Sequence, residues 1–586
     1  MVTGHFEFDR YRLDVASGTL FRDGTHVPLT PKVAELLVAL VRAAGRMVSR
    51  EELSEHLWPN TIVEEGSLTS HISSLRKALG DSQKDQALIE TIPKRGYRFT
   101  APVKQITPEV AVDFPPRHML VVLPFENLSV GDRYDYFSDG LTEEMITELA
   151  RLSPESLGVI ARTSAMQFKA TAKGIKQIGD ELGASHVLEG SVRRVAERMR
   201  ITVQLIRVRD ESHLWAQSYD RGVHDVLEVQ AQVARAVAQE IKIKLTPIAE
   251  CRLARDQARA TNPDAYELYL RGRHFWNRRT EADIRKSIQC FEQALHVDPA
   301  FAAAYDGISD AHTMLACRGI TPTHESFHKA KAAARNAVLL EPDLGEGYAS
   351  LAHVRLHDWD WVGLEQEFQR ALELNPGYAV AHYWYAEYLM AMGDTGQALG
   401  RVQHSWQLDP LNSVINASVG MIRYLAHDYD GALIALQRGL DIDPAHYVSH
   451  LRLGLVYLQK GLAREALSEM ELAVNHSGGS TEALAGLAQA LAVTGDPSAM
   501  QKVIGQLCEV PGRYVSPYHV ARIYGAIHDE NRALEWLERA YQEHNPDLIE
   551  LTREPSFVSL HSNVKFVELV ARIGWRRGDV RFLQSV

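Results

Sequence analysis

Between residues 66 and 99 the apolar positions change period, from helical to alternating. Leu68, Ile72, Leu75 and Leu79 fall at i, i+4, i+7 and i+11, the spacing of a single buried helical face. The opposite face is small and polar, carrying Ser67, Ser70, Ser73, Ser74 and Lys77 with Arg76 at its flank. Past Gly80 and Asp81, Leu88 to Ile92 alternates as a strand, Pro93-Lys94-Arg95-Gly96 reads as a turn, and Tyr97-Arg98-Phe99 returns. Short hydroxyls let a helix lie close to DNA, while Arg and Lys reach base edges or phosphates. The pattern predicts a recognition helix followed by a basic-tipped wing, with Ser67, Ser70, Ser73, Ser74, Arg76, Lys77, Lys94 and Arg95 as the candidate DNA contacts.

Upstream, His5 to Phe21 alternates around Ser17-Gly18 as small antiparallel strands. Thr30-Pro31 marks a helix start, and Ser49 with Glu52 three residues on forms a capping box. Pro102, Pro108, Pro115 and Pro116 punctuate a linker. Residues 118–247 then alternate helix and strand. Strands are expected at 119–125, 157–160, 186–194, 199–208 and 213–219, and helices at 140–152 (capped by Ser138-Asp139), 174–182 and 226–245.

The remainder repeats. A helix-ending proline or glycine recurs every 34 residues at Pro342, Pro376, Pro410, Pro444, Gly478, Gly512 and Pro546. Pro299 precedes Pro342 by 43 residues, which predicts a longer loop around Arg318 to Thr323. Eight markers imply about eight helix pairs, closed by a helix from Val564 to Ile573.

These signals coincide with known families. Val27-Pro28-Leu29-Thr30, Val48 to Leu53 with Trp58, His71-Ile72 with Leu75-Arg76-Lys77, and Gly96-Tyr97-Arg98 resemble the OmpR/PhoB-type winged-helix domain. That resemblance implies DNA contacts from the exposed helix face and the wing. Phrases such as Tyr136 to Glu144, Leu188 to Arg194 and His213 to Asp220 resemble a TolB N-terminal-like domain. The 34-residue period, with Leu453-Gly454, Tyr457, Ala466 and Ala473, is that of tetratricopeptide repeats. The expected fold is therefore multidomain. An α+β winged helix-turn-helix at 1–105 and a linker at 106–117 lead to a small α/β domain at 118–247 and an all-α tetratricopeptide solenoid at 248–586. The layout resembles HilA/CadC-like regulators without a membrane span, which implies a one-component transcriptional regulator, by family analogy an activator. Double-stranded DNA is the expected partner, with RNA polymerase or another protein on the array, and a homodimer left open.

Composition narrows the alternatives. Net charge is -12, yet residues 1–105 carry fourteen Lys plus Arg against thirteen Asp plus Glu. Attraction to phosphate must therefore be local, where Arg76, Lys77, Lys94, Arg95 and Arg98 cluster. Cys251, Cys290, Cys317 and Cys508 are too sparse for a disulfide scaffold, and buried free thiols are expected. Without a basic leader or an apolar run of about 18 residues, a soluble cytoplasmic protein is expected. His324-Glu325-Ser326-Phe327-His328 matches H-E-x-x-H, but at the opening of the second helix of a repeat pair and without a third ligand it reads as a solvated helix start. Trp359, Trp361, Tyr383, Trp384, Tyr385 and Tyr388 read as packing rather than as a ligand groove. No cofactor, metal site or catalytic residue is assigned, and the chain is not read as an enzyme. The competing readings are a tetratricopeptide scaffold whose winged helix binds protein, and a relative of adenylate cyclases that lacks the catalytic domain.

Overall fold

The computed structural model describes residues 5–14, 19–22, 25–27, 29–42, 45–57, 65–80, 88–93, 95–101, 103–106, 118–129, 135–153, 156–195, 198–258, 262–318, 320–321, 323–509 and 514–575. Trp58, Lys94, Gly512, Pro102, Pro108, Pro115, Pro116 and the Cys508 side chain lie outside them. The chain separates into two compact units, Met1–Val112 and Asp113–Val586.

The first unit runs β1 (His5–Phe8), β2 (Tyr11–Asp14), β3 (Thr19–Arg22), β4 (Thr25–Val27), α1 (Pro31–Arg42), β5 (Met47–Ser49), α2 (Arg50–Leu57), α3 (Glu65–Ala78), β6 (Ile89–Ile92), β7 (Gly96–Phe99) and β8 (Lys104–Ile106). One sheet has the order β4-β3-β2-β1-β8 and the other β5-β7-β6. Leu68, Ile72, Leu75 and Leu79 are all buried, packed with Leu36, Leu37 and Leu40 of α1 and with Ile89 and Phe99 of the hairpin. Ser49 Oγ accepts the Glu52 backbone N–H at 3.0 Å, one arm of the expected capping box. Gly96 is required where the hairpin meets β5, because a Cβ there would lie 2.0 Å from the Val48 carbonyl oxygen. The wing's returning strand thus sits against β5, fixing the hairpin on the core.

The second unit opens with β9 (His118–Val122), β10 (Glu126–Asn127), α4 (Asp135–Ala150), β11 (Leu157–Val159), α5 (Arg162–Met166), α6 (Ile175–Leu182), β12 (His186–Val195), β13 (Arg198–Arg207), β14 (Ser212–Gly222), α7 (Val226–Ile241) and α8 (Pro247–Ala258). The sheet order is β11-β9-β12-β13-β14, parallel from β11 to β12 and antiparallel beyond, with β10 on β12. Two expectations need correction. The first helix begins at Asp135, not Gly140: Asp135 accepts from Asn127 Nδ2 at 2.7 Å, and the Ser138 hydroxyl donates back to the Asp135 carbonyl instead of capping. The last long helix stops at Ile241, where Lys242 takes a left-handed φ of 61° and its N–H bonds the Gln239 carbonyl.

Among the described residues eight helix pairs follow, as the repeat period predicts. They are α9 (Pro263–Arg278) with α10 (Glu281–Val297), α11 (Ala302–Cys317) with α12 (Thr323–Leu340), α13 (Gly345–His357) with α14 (Leu364–Leu374), α15 (Ala379–Ala391) with α16 (Thr395–Leu408), α17 (Ser413–Leu425) with α18 (Tyr429–Ile442), α19 (Tyr447–Gln459) with α20 (Ala463–His476), α21 (Thr481–Val493) with α22 (Pro497–Glu509), and α23 (Pro517–Ala526) with α24 (Glu530–Gln542). Two short 3₁₀ segments, Pro546–Glu550 and Pro555–Leu560, lead to α25 (Val564–Ile573), the expected closing helix. The long repeat between Pro299 and Pro342 is accommodated mainly by longer helices, of 16 and 18 residues against 13 and 14 in the α15–α16 pair, and only secondarily by its loop.

The sheet and the first repeat share a core: Leu141, Met145 and Val229 cluster with Tyr266, Leu270 and Phe291. Gly140 permits this approach, since a Cβ there would meet Leu270 at 2.7 Å. Polar contacts reinforce it. Arg273 Nε donates to Glu143 at 2.8 Å and Tyr136 to Glu267 at 2.6 Å, while Arg151 pairs with Glu346. Farther along, the Ser164 hydroxyl donates to buried Asp409 at 2.6 Å. Burial opposes ionisation of Glu143, but Arg273 and Arg162 outweigh it and hold the carboxyl below its usual range.

Candidate nucleic-acid interface and the array interior

Helix α3 presents an exposed stripe of Thr69, Ser70, Ser73, Ser74 and Lys77. Ser67 is half-buried, and its carbonyl lies 2.7 Å from His71 Nδ1. Thr69 was missed by the sequence pattern, although it sits four residues before Ser73 and so on the same face. The wing contributes exposed Arg95, with Lys94 outside the described residues. Arg76 has a different position from the serines. Its Nη2 donates to the Ile89 carbonyl and to the Thr91 hydroxyl, each at 2.8 Å, tying the recognition helix to the wing's first strand. Arg98 pairs with Glu90 at 3.5 Å across the hairpin, and Arg50 lies over the Tyr97 ring at 5.7 Å. The one cation of the exposed stripe, Lys77, stands in the last turn of α3.

The array's aromatic cluster is packing, and part of it holds the chain's own C-terminal stretch. Trp384, Tyr385 and Tyr388 are buried. Trp359 packs against His544 at 4.0 Å between centroids with the rings tilted by 32°, and Trp361 Nε1 donates to the Ile573 carbonyl at 2.9 Å. Trp575 Nε1 donates to the Ala391 carbonyl at 2.9 Å, and Tyr424 donates to fully buried Glu554 at 2.9 Å. Residues 544–575 are thus bonded across α13, α15 and α17. Sequence spacing carried no sign of this return.

The H-E-x-x-H residues His324, Glu325 and His328 are exposed on α12, with Glu325 paired to Lys329 at 2.7 Å. Cys251 and Cys317 are exposed and Cys290 half-buried, contrary to the expectation of buried thiols. In the array interior, burial pushes the Glu387 carboxyl up to about 7 against the pull of Arg452, and pushes the His357 imidazole down to about 4. Among the described residues, no helix is long and apolar enough to cross a membrane.

Residues 24–99 match the family "Transcriptional regulatory protein, C terminal", residues 116–236 match "HilA/YgeH-like transcriptional regulator, second domain", and residues 367–400 match a tetratricopeptide repeat. Two of these three matches are to families of transcriptional regulators. The chain joins an OmpR/PhoB-type DNA-binding domain to a HilA-like second domain and a tetratricopeptide array. It is similar to the transcriptional regulator HilA of Salmonella typhi, 26% identical over 73% of this chain and 75% of that protein. It is also similar to putative adenylate cyclase 3 of Rhizobium meliloti, 37% identical over 34% of each chain, so the likeness takes in about a third of that relative's length. Among solved structures, the DNA-binding domain of E. coli CadC is 31% identical, covering 18% of this chain and 98% of that one, with a TM-score of 0.16 over the whole chain.

Proposed function

We propose that the protein is a one-component regulator that reads DNA through α3 and the adjoining wing, while the second unit receives the signal or engages a protein partner such as RNA polymerase. The observation that carries this reading is the uncovered stripe Thr69, Ser70, Ser73, Ser74 and Lys77 on a helix whose other face is wholly buried. In this arrangement Ser70, Ser73 and Ser74 face base edges in the major groove, and Lys77 and Arg95 meet phosphates. Arg76 acts as a positioning residue: it sets the angle between helix and wing through its bonds to β6. Lys94 belongs to the wing tip by sequence and is assigned to phosphate contact with Arg95. The work is done in the cytoplasm, where the DNA is, and by the likeness of the DNA-binding domain to the transcriptional activator CadC of Escherichia coli the outcome is activation. No catalytic activity is assigned.

The test is selection of genomic fragments by the purified full-length protein beside a Ser73→Ala, Ser74→Ala, Lys77→Ala variant. Enrichment of one sequence motif by the parent and not by the variant supports site-specific reading. Equal enrichment by both moves the contact away from α3, and no enrichment by either favours the scaffold reading.

A further inference from the structure

Inside the array, two histidines and a glutamate come together without belonging to any motif of the sequence. His353 and His357 stand one turn apart on α13, and α15 brings Glu387 beside them. One ligand atom of each lies within 4.8 Å of the other two. The two Nε2 atoms are 3.2 Å apart, close to the roughly 3.4 Å edge that 2.0–2.1 Å bonds give about a tetrahedral centre.

The rings are also held in place. His353 stacks flat on Trp384, with centroids 4.0 Å apart and planes 9° from parallel. His357 faces the Phe327 ring, and its Nδ1 lies 3.3 Å from the Pro546 carbonyl. A proton on Nδ1 donated to that carbonyl leaves the Nε2 lone pair directed at His353, the arrangement by which a backbone oxygen orients a metal-bound imidazole. The two rings are 84° from coplanar, so their Nε2 atoms meet without the rings stacking. Glu387 Oε2 is buried with no hydrogen-bond partner, an uncompensated cost that a bound cation removes. The carboxylate also borders a cavity of about 20 Å³, which is room for one water.

We propose that His353, His357 and Glu387 form a divalent transition-metal site of the zinc class within the tetratricopeptide array. Two imidazoles and one carboxylate suit Zn²⁺ or Co²⁺ and are a poor set for Ca²⁺ or Mg²⁺, which take oxygen ligands. A fourth position is left for water. Closing the longest edge to the tetrahedral value takes a side-chain adjustment of about 1.5 Å. Because Pro546 opens the stretch that returns across the array, metal bound at His357 favours the docked position of that stretch, and docking favours the metal in equal measure.

The experiment uses tag-free full-length protein, stripped with chelator and dialysed, then loaded separately with Zn²⁺ and Co²⁺. Zinc retained after gel filtration is measured by atomic emission, and Co²⁺ is followed by its ligand-field absorption. The expected result is one zinc per chain and a four-coordinate cobalt spectrum. Glu387→Gln, which keeps the shape of the side chain, weakens retention at least about tenfold, and His353→Gln with His357→Gln abolishes it. His324→Ala with His328→Ala leaves binding intact. Helix content by circular dichroism shows whether each variant is folded. Wild-type protein that retains no zinc overturns the proposal whatever the variants do, and so does retention that survives Glu387→Gln undiminished or disappears with the His324 and His328 substitutions.

Discussion

Replacing Tyr424 by Phe isolates one of the interactions that hold the C-terminal stretch to the middle of the array. Phe keeps the ring packing of a side chain that is 1% exposed and deletes only the hydroxyl. Glu554 Oε1 accepts three bonds, from Tyr424 at 2.9 Å, from the Ser556 N–H at 3.1 Å and from the Ser556 hydroxyl at 2.8 Å. The two Ser556 bonds are local to the 3₁₀ segment, so Tyr424 is the contact of the three that reaches from the array. A hydrogen bond to a charged group contributes about 1.5–3 kcal/mol, and about 2 kcal/mol is a factor of roughly 30 in an equilibrium constant. The docked state should lose that much relative to an opened one in which water solvates Glu554. Amide hydrogen exchange reads local opening directly. The N–H groups of Leu551, Arg553, Glu554 and Phe557, all bonded within the segment, should exchange about 30-fold faster in Tyr424→Phe, with those of α9 and α10 unchanged. Acceleration of less than about threefold, below 1 kcal/mol, would refute the assignment of Tyr424 as a tether.

Three further outcomes are expected. Burial, helped by the neighbouring Glu143 charge, pushes the Glu144 carboxyl up to about 7 against Arg273 and Arg151. The folded state then binds its proton more tightly than the unfolded chain does. Its contribution to stability should fall as pH rises from about 4.5 to 7, and Glu144→Gln should remove that share of the pH slope and raise stability at pH 8 by roughly 1–3 kcal/mol in denaturant titrations. Lys77→Ala should lower the slope of log affinity against log salt by about 0.9, whereas Arg76→Ala should leave that slope in place while loosening the wing; equal slope changes would count against separating their roles. Ser49→Ala should cost the DNA-binding unit about 1 kcal/mol through its cap on α2, and an unchanged melting temperature would contradict the cap.

What could be read in the sequence was local or periodic. The buried stripe of α3, the hairpin after it and the eight helix pairs each depend on residues a few positions or one repeat apart, and each is where its spacing puts it. What was missed depends on distant partners. Strand β8 exists because β1 offers an edge, with His5 opposite Ile106 about a hundred residues away. The bonds of Arg76 to Ile89 and Thr91 required knowing how the hairpin folds back on the helix. His353 and His357 show the i, i+4 spacing of a shared face, but Glu387 joins them only through the stacking of α13 on α15. Buried Asp409 reads as a repeat-end turn residue and gives no hint that Ser164 will reach it.

A stack of repeats ordinarily behaves as a one-dimensional chain, in which each pair leans only on its neighbours and melting starts from whichever end is loose. Here neither end is loose. The first pair is sunk into the α/β core through Tyr266, Leu270 and Phe291, and the last is followed by residues pinned to α15 and α17 through Trp575 and Glu554. The array therefore has the statistics of a loop rather than a line. Terminal pairs cannot peel away one at a time, and intermediate lengths of folded array are suppressed.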